Sequence, residues 1–345
     1  MRISLFAHME RLRADVPHDE LYAQFIELCE IADDAGLQTI WTGEHHGMDF
    51  TISPNPLTML VDLARRTKNV RLGTGTLQAP FWHPVRLAGE IAMTDIMTEG
   101  RLEVGIARGA YAFEYERMTP GIDAWGAGQK LRALVPALRG LWTGDYAHDD
   151  EHWSFPQTTA SPLPIQAPHP PIWIAARDPN SHRFAIDHGC DVQVTPLWLG
   201  DEEVDALIDR FDTAFEESGA AHRPRLMLLR QTAIAESDDE REAVGRNLSR
   251  YFAHFGTWFR NQRPVHRANI SPLDDDEIAA MDMYAPDKML DNHVVGSPQE
   301  VVDRLKRHED QGVDEYAIWL DGGMPFNERK VALERLVETV VPAFH

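Results

Sequence analysis

The sequence predicts an α/β protein, a single (β/α)8 or TIM barrel over residues 1–345, with insertions between the fourth and fifth strands and after the seventh. Three observations carry that reading. Short apolar runs alternate with amphipathic helical periods, eight times over. The 345-residue length is one that a single barrel can absorb. No strand opens at once into a G-x-G-x-x-G turn and helix, as the doubly wound alternative would show.

The strands are predicted at Ile3–Ala7, Gln38–Gly43, Val70–Thr76, Leu102–Ala107, Ile172–Ala176, Asp191–Thr195, Leu226–Ala235 and Glu315–Leu320. After the first, Leu21, Phe25, Leu28, Ala32 and Ala35 recur at spacings of four, three, four and three, one face of a helix that Gly36 ends. Further helices are expected over Leu57–Lys68, over Pro84–Thr98 with its opening proline, and over Leu131–Trp142. Later ones run over about Ser181–His188, Glu202–Ser218, Asp238–Phe259, Pro298–Gln311 and Glu328–Val341.

Two segments break the repeat. Gly144–Pro171 is rich in proline and holds the stretch His152–Phe155, which reads as a hairpin followed by an extended linker. Asn261–Val295 has no strong period and includes the acidic run Asp274–Glu277; a loop of that length is a lid, a partner surface or disordered, and a lid is expected here.

Composition removes several classes of function. A formal net charge of −22 repels phosphate backbones and anionic membrane surfaces, so neither nucleic acid nor membrane is an expected partner. Any bound phosphate needs a local group of donors. Cys29 and Cys190 are too few and too far apart for a disulfide framework or thiolate zinc ligands. The apolar run at the N-terminus is too short for a signal h-region, so the chain is expected to be soluble and cytoplasmic.

In such a barrel the chemistry sits at the carboxyl ends of the strands. The second strand exits into Glu44–His45–His46, the third through Gly75–Thr76 to His83, the fourth into Ala107–Arg108–Gly109–Ala110–Tyr111 and the fifth into Arg177–Asp178–Pro179–Asn180–Ser181. Arg108, together with a helix start bearing Asn180 and Ser181, offers charged donors and free backbone N–H groups to a phosphate. Gly75 and Gly109 lack Cβ atoms, so a flat ring could lie against the backbone there. The competing reading makes the arginine and serine ordinary salt-bridge and cap residues. His45 and His46 are adjacent and point to opposite faces, so no metal site is expected. Glu44, Trp82, His83, Tyr111 and Trp198 are the expected walls of a substrate pocket.

Three stretches together resemble the bacterial luciferase-like flavin monooxygenases. They are the run from EHHGMDF at Glu44 through GTGTLQAPFWHP to GIARGAY at Tyr111, the segment PPIWIAARDPNSHRFAIDHG over Pro170–Gly189, and NHVVGSPQEVVDRL over Asn292–Leu305. The resemblance implies reduced FMN bound at the strand ends, supplied by a separate NAD(P)H-dependent flavin reductase. It implies reaction with O2 to a C4a-hydroperoxide and insertion of one oxygen atom into a small organic substrate. His45 would act as base or proton donor, the Gly75–Thr76 peptide, often a non-proline cis bond in the family, would lie against the ring, and Arg108 and Ser181 would hold the phosphate. A homodimer is expected on the same ground. Ala107 stands where the light-emitting enzymes carry a reactive cysteine, so light emission and a long-chain aldehyde substrate are not carried over. An aspartate at Asp178 would oppose a phosphate unless it turned outward or capped the helix. Two other readings keep the fold: hydride transfer with a deazaflavin, and a non-catalytic flavin-binding relative.

Overall fold

Eight parallel strands close on themselves in the computed structural model, which describes residues 1–12, 15–320 and 323–344. They are β1 (Arg2–Phe6), β2 (Thr39–Thr42), β3 (Arg71–Thr74), β4 (Leu102–Ala107), β5 (Ile172–Ala175), β6 (Asp191–Val194), β7 (Leu226–Ile234) and β8 (Glu315–Trp319). Each pairs with the next, and β8 returns to β1, so that Phe6 lies opposite Trp41 on one side and Trp319 on the other. All eight predicted strands are present, most with ends trimmed by a residue or two and the first shifted one residue toward the N-terminus. The third ends at Thr74, and its predicted tail passes into a short strand, Leu77–Gln78, that pairs with β4.

The outer layer comprises α1 (His18–Asp34), α2 (Pro56–Arg66), α3 (Pro84–Met97), α4 (Ala112–Met118), α5 (Ala124–Thr143), α6 (Pro179–Asp187), α7 (Asp201–Ser218), α8 (Asp238–Phe259), α9 (Asp275–Ala279), α10 (Pro286–Asn292), α11 (Pro298–Asp310) and α12 (Phe326–Thr339). The alternating helices bury the apolar faces that their periodicity announced. In α1, for example, Leu21, Phe25, Leu28 and Ala32 are all buried.

Three features differ from the sequence reading. Helix α4 follows the strand exit that ends at Tyr111 and is not among the expected helices, because seven residues are too few to show a helical period. Helix α5 begins at Ala124, well before Leu131, because Asp123 accepts the Gly126 N–H as its cap; Gly126 and Gly128, poor helix formers, hide that start. The segment Asn261–Val295, expected as one lid loop, carries local structure instead. It holds a ribbon of Val265–His266 with Asn269–Ile270, helices α9 and α10, and the start of a strand, Val294–Gly296, that pairs with β7. Its acidic run is a capping box, in which Asp274 and Glu277 each accept the other's backbone N–H. The hairpin predicted in the other insertion is present, Tyr146–Asp149 against Ser154–Thr158.

Two buried carboxylates inside the barrel find specific partners, as burial demands. Glu315 accepts from the Ser4 hydroxyl at 2.6 Å and the Trp41 indole N–H at 2.8 Å, and Glu103 accepts from the Trp173 indole at 2.7 Å. Room for the Trp41 ring comes from Gly73, where a Cβ would sit 2.2 Å from it.

Outside the barrel, Asp201 at the start of α7 ties three elements together. It accepts from Arg230 of β7 at 2.6 Å and from Arg304 and Arg307 of α11 at 2.8 and 3.1 Å. Burial opposes its charge, but the Arg304 hydrogen bond and the Arg230 charge prevail and hold its pKa down to about 2. The folded pKa lies below the unfolded one, so the contribution is present above pH 4 and is lost as pH falls toward 2. Asp201→Asn is therefore expected to destabilise the protein by about 1–3 kcal/mol near neutral pH. That deficit relative to wild type should shrink between pH 4 and pH 2 in denaturant titrations. A deficit independent of pH would show that the ion pairs contribute nothing.

Candidate active site

A cavity of about 330 Å3 opens at the carboxyl ends of the strands. Its apolar wall comes from Phe6 of β1, Ile174 of β5, Met227 and Leu229 of β7, Leu131 of α5, Phe184 of α6, and Phe255 and Phe259 of α8. Its polar edge includes Glu44, His45, Gly75, Thr76, Gln78, Arg108, Gly109, Arg132, Arg177, Asp178, Ser181 and Gln193.

His45 is placed by the exit of β2, where its N–H donates to the Ser53 carbonyl at 2.9 Å. Its Nδ1 lies 3.2 Å from an oxygen of Glu114, a fully buried side chain of α4. Glu114 also accepts the His46 N–H at 2.7 Å and the Gln78 amide at 3.1 Å to each oxygen. The His45 ring sits between the rings of His8 and Tyr111, at 5.3 and 5.1 Å between centroids.

Glu44 lines the cavity, but its carboxylate is fully engaged. It accepts from the Gln78 N–H and the Trp82 indole, both at 2.8 Å, and pairs with His46 Nε2 at 2.6 Å. For His46, burial works against the charge, yet the hydrogen bond and charge of Glu44, with Glu114 nearby, raise its pKa above the ordinary histidine value.

The Gly75–Thr76 peptide is cis and both residues line the cavity. Gly109 has φ +91, and a Cβ there would lie 2.5 Å from Gln78 Oε1, so this turn needs glycine. The Tyr115 hydroxyl braces the same turn by donating to the carbonyls of Arg108 and Gly109 at 2.9 Å; burial pushes its pKa up to about 12, so it stays a donor.

Three guanidinium groups reach the cavity. Arg108 donates to the Ala124 carbonyl at 3.2 Å, and Arg177 pairs with Glu203 at 3.0 Å. Arg132 stands 5.9 Å from the Phe184 ring. Among the described residues neither Arg108 nor Arg132 has a carboxylate partner. Two uncompensated cations in one cavity of so acidic a chain mark a place for an anion.

Several expected site residues lie elsewhere. Trp82, His83, Tyr111, Trp198 and Asn180 are not among the described residues lining the cavity. The turn Ala79–Phe81 after β3 sends Trp82 behind Glu44, while His83 is exposed and accepts the Val85 N–H at 3.3 Å at the start of α3. Tyr111 backs His45, and Trp198 packs behind Phe255 and Phe259 at 6.2 and 5.9 Å. Asn180 is an exposed residue of the first turn of α6. The cap of that helix is Asp178, which accepts from the Ser181 N–H at 3.1 Å and from the Ser181 hydroxyl. Burial opposes its charge, but these hydrogen bonds outweigh it and lower its pKa. Sequence reasoning missed Glu114, Gln78 and Arg132. For Arg132 a signal existed: Gly128, Leu131 and Arg132 lie on one face of α5.

A family model described as luciferase-like monooxygenase matches residues 1–315. The chain belongs to the luciferase-like monooxygenase family. It is 55% identical over 344 residues to the flavin-dependent trigonelline monooxygenase, oxygenase component, of Acinetobacter baylyi, covering 100% of this chain and 96% of the relative. Among solved structures, monooxygenase RslO1 from Streptomyces bottropensis aligns over 100% of both chains with a TM-score of 0.82 and 25% identity. The oxygenating constituent of 3,6-diketocamphane monooxygenase from Pseudomonas putida, solved with FMN, aligns over 99% of this chain and 98% of its own with a TM-score of 0.77. At 19% identity it shows the shared fold alone. This luciferase-like chain is a flavin-dependent monooxygenase. No helix among its described residues is long and apolar enough to cross a membrane.

Proposed function

We propose that the chain is the oxygenase component of a two-component FMN monooxygenase, receiving reduced FMN from a separate NAD(P)H-dependent flavin reductase. One oxygen atom of O2 is placed on a small N-heteroaromatic carboxylate of the trigonelline type. The chain works as one domain, in a cytoplasmic homodimer, a reading its family likeness supports. The observation that carries the proposal is a single apolar cavity holding both an imidazole and two guanidinium groups that have no carboxylate partner among the described residues. Its volume falls within the range of ligand sites, about 300–1,000 Å3.

The residues present fit FMN. Arg108 and Arg132 would hold the phosphate, with Arg177 and Ser181 beside them. The bare backbone at Gly75 and Gly109 would let the ring approach. When bound, the reduced flavin supplies the electrons that activate dioxygen. His45 takes up or gives the proton, and Phe255 and Phe259 keep water from the reacting centre. The same aromatic faces suit the cationic ring of a trigonelline-like substrate.

The test couples the purified chain to NADH, FMN and an unrelated flavin reductase. Trigonelline-dependent oxygen uptake is expected, with one labelled atom from isotopic O2 in the product. Absence of substrate-dependent uptake across a panel of pyridine carboxylates, with FMN still bound, would favour the non-catalytic reading. Anaerobic substrate oxidation with a 5-deazaflavin would replace oxygen insertion by hydride transfer.

A further inference from the structure

We infer that Glu114 is the positioning residue of His45, holding the hydrogen on Nδ1 and leaving Nε2 bare as the proton acceptor of the cavity. The inference rests on the proton-transfer role proposed for His45. A carboxylate only accepts hydrogen bonds, so the His45 nitrogen 3.2 Å from Glu114 must be the donor. The other contacts of Glu114 support its anionic form. The His46 backbone N–H can only donate to it. The Gln78 amide nitrogen is also fixed as a donor, because it lies 2.6 Å from the Glu44 carbonyl as well as 3.1 Å from both Glu114 oxygens.

Three donors from two strand exits therefore converge on one fully buried carboxylate. Nε2 of His45 has no partner among the described residues. The rings of His8 and Tyr111 pack close to the imidazole, at 5.3 and 5.1 Å between centroids. Burial lowers the pKa of His8 well below the usual value, and the nearby His45 adds to that lowering. Carboxylate, imidazole and reacting atom in series is a general arrangement for fixing a histidine tautomer.

The experiment is nitrogen-15 NMR of the full chain labelled at histidine, with the His45 signals identified by their loss in His45→Asn. Wild-type His45 is expected in the form protonated on Nδ1 and bare on Nε2. In Glu114→Gln the population should move toward Nε2–H. Turnover in the coupled assay should fall about 10–100-fold with FMN affinity and substrate KM little changed. Glu114→Asp, which keeps the charge, should recover part of the loss. Finding Nε2–H in the wild type overturns the inference without any variant, as does an unchanged tautomer or unchanged kcat in Glu114→Gln. A His45→Ala enzyme with normal turnover would remove the catalytic role while the tautomer measurement stood by itself, so the two failures are distinguishable.

Discussion

His45→Ala is expected to lower substrate-dependent turnover by about 10²–10⁴-fold, the range of a lost general acid or base. FMN binding should stay close to wild type. The imidazole lines the cavity, but the cations proposed to hold the cofactor are contributed by other elements, α5 and the exit of β4. Oxygen consumption without substrate product should rise relative to coupled turnover, because the variant still admits flavin and dioxygen but moves the proton poorly. Product formation at the wild-type rate would take His45 out of the mechanism.

Arg108→Ala and Arg132→Ala are each expected to weaken FMN binding by about 10–100-fold, following the roughly 1.5–3 kcal/mol of a hydrogen bond to a charged group. Riboflavin, which has no phosphate, is the control, and its affinity should hardly change. In wild type the preference for FMN over riboflavin should fall as salt rises, since a guanidinium–phosphate contact at a partly open site is screened. The chain's net charge of −22 makes these two positions decisive, because the general field repels the same phosphate. Equal affinity of the Arg132→Ala variant and wild type for FMN would remove Arg132 from the cofactor site. The same result for Arg108→Ala would move the phosphate elsewhere in the cavity.

The strands and most helices were legible because their signals are local. Leu21, Phe25, Leu28 and Ala32 fall on one face whatever they pack against, and Pro84 can open α3 without reference to the rest of the chain. The strand-end rule brought His45, Gly75, Thr76, Arg108, Gly109 and Ser181 to the cavity. It failed at Trp82 and His83. That rule assumes a chain that continues along the rim, and the turn at Ala79–Phe81 redirects it. Asp178 was legible as a conflict with a phosphate, but its resolution as the cap of α6 required the Ser181 contacts.

The sequence by itself determined a closed barrel of alternating strands and helices, an acidic molecule with a cationic spot at Arg108, and an imidazole at a strand exit. Periodicity, charge and chain order are properties of neighbouring residues. Only the tertiary structure decided that Glu114 faces His45 across 69 positions, that Trp82 holds Glu44 across 38, and that Arg132 joins Arg108 at one cavity. Those choices depend on which buried polar groups find partners when separate rim segments meet. A carboxylate cannot be left unpaired inside the barrel, and the residues that pair it are selected by three-dimensional packing, not by spacing along the chain.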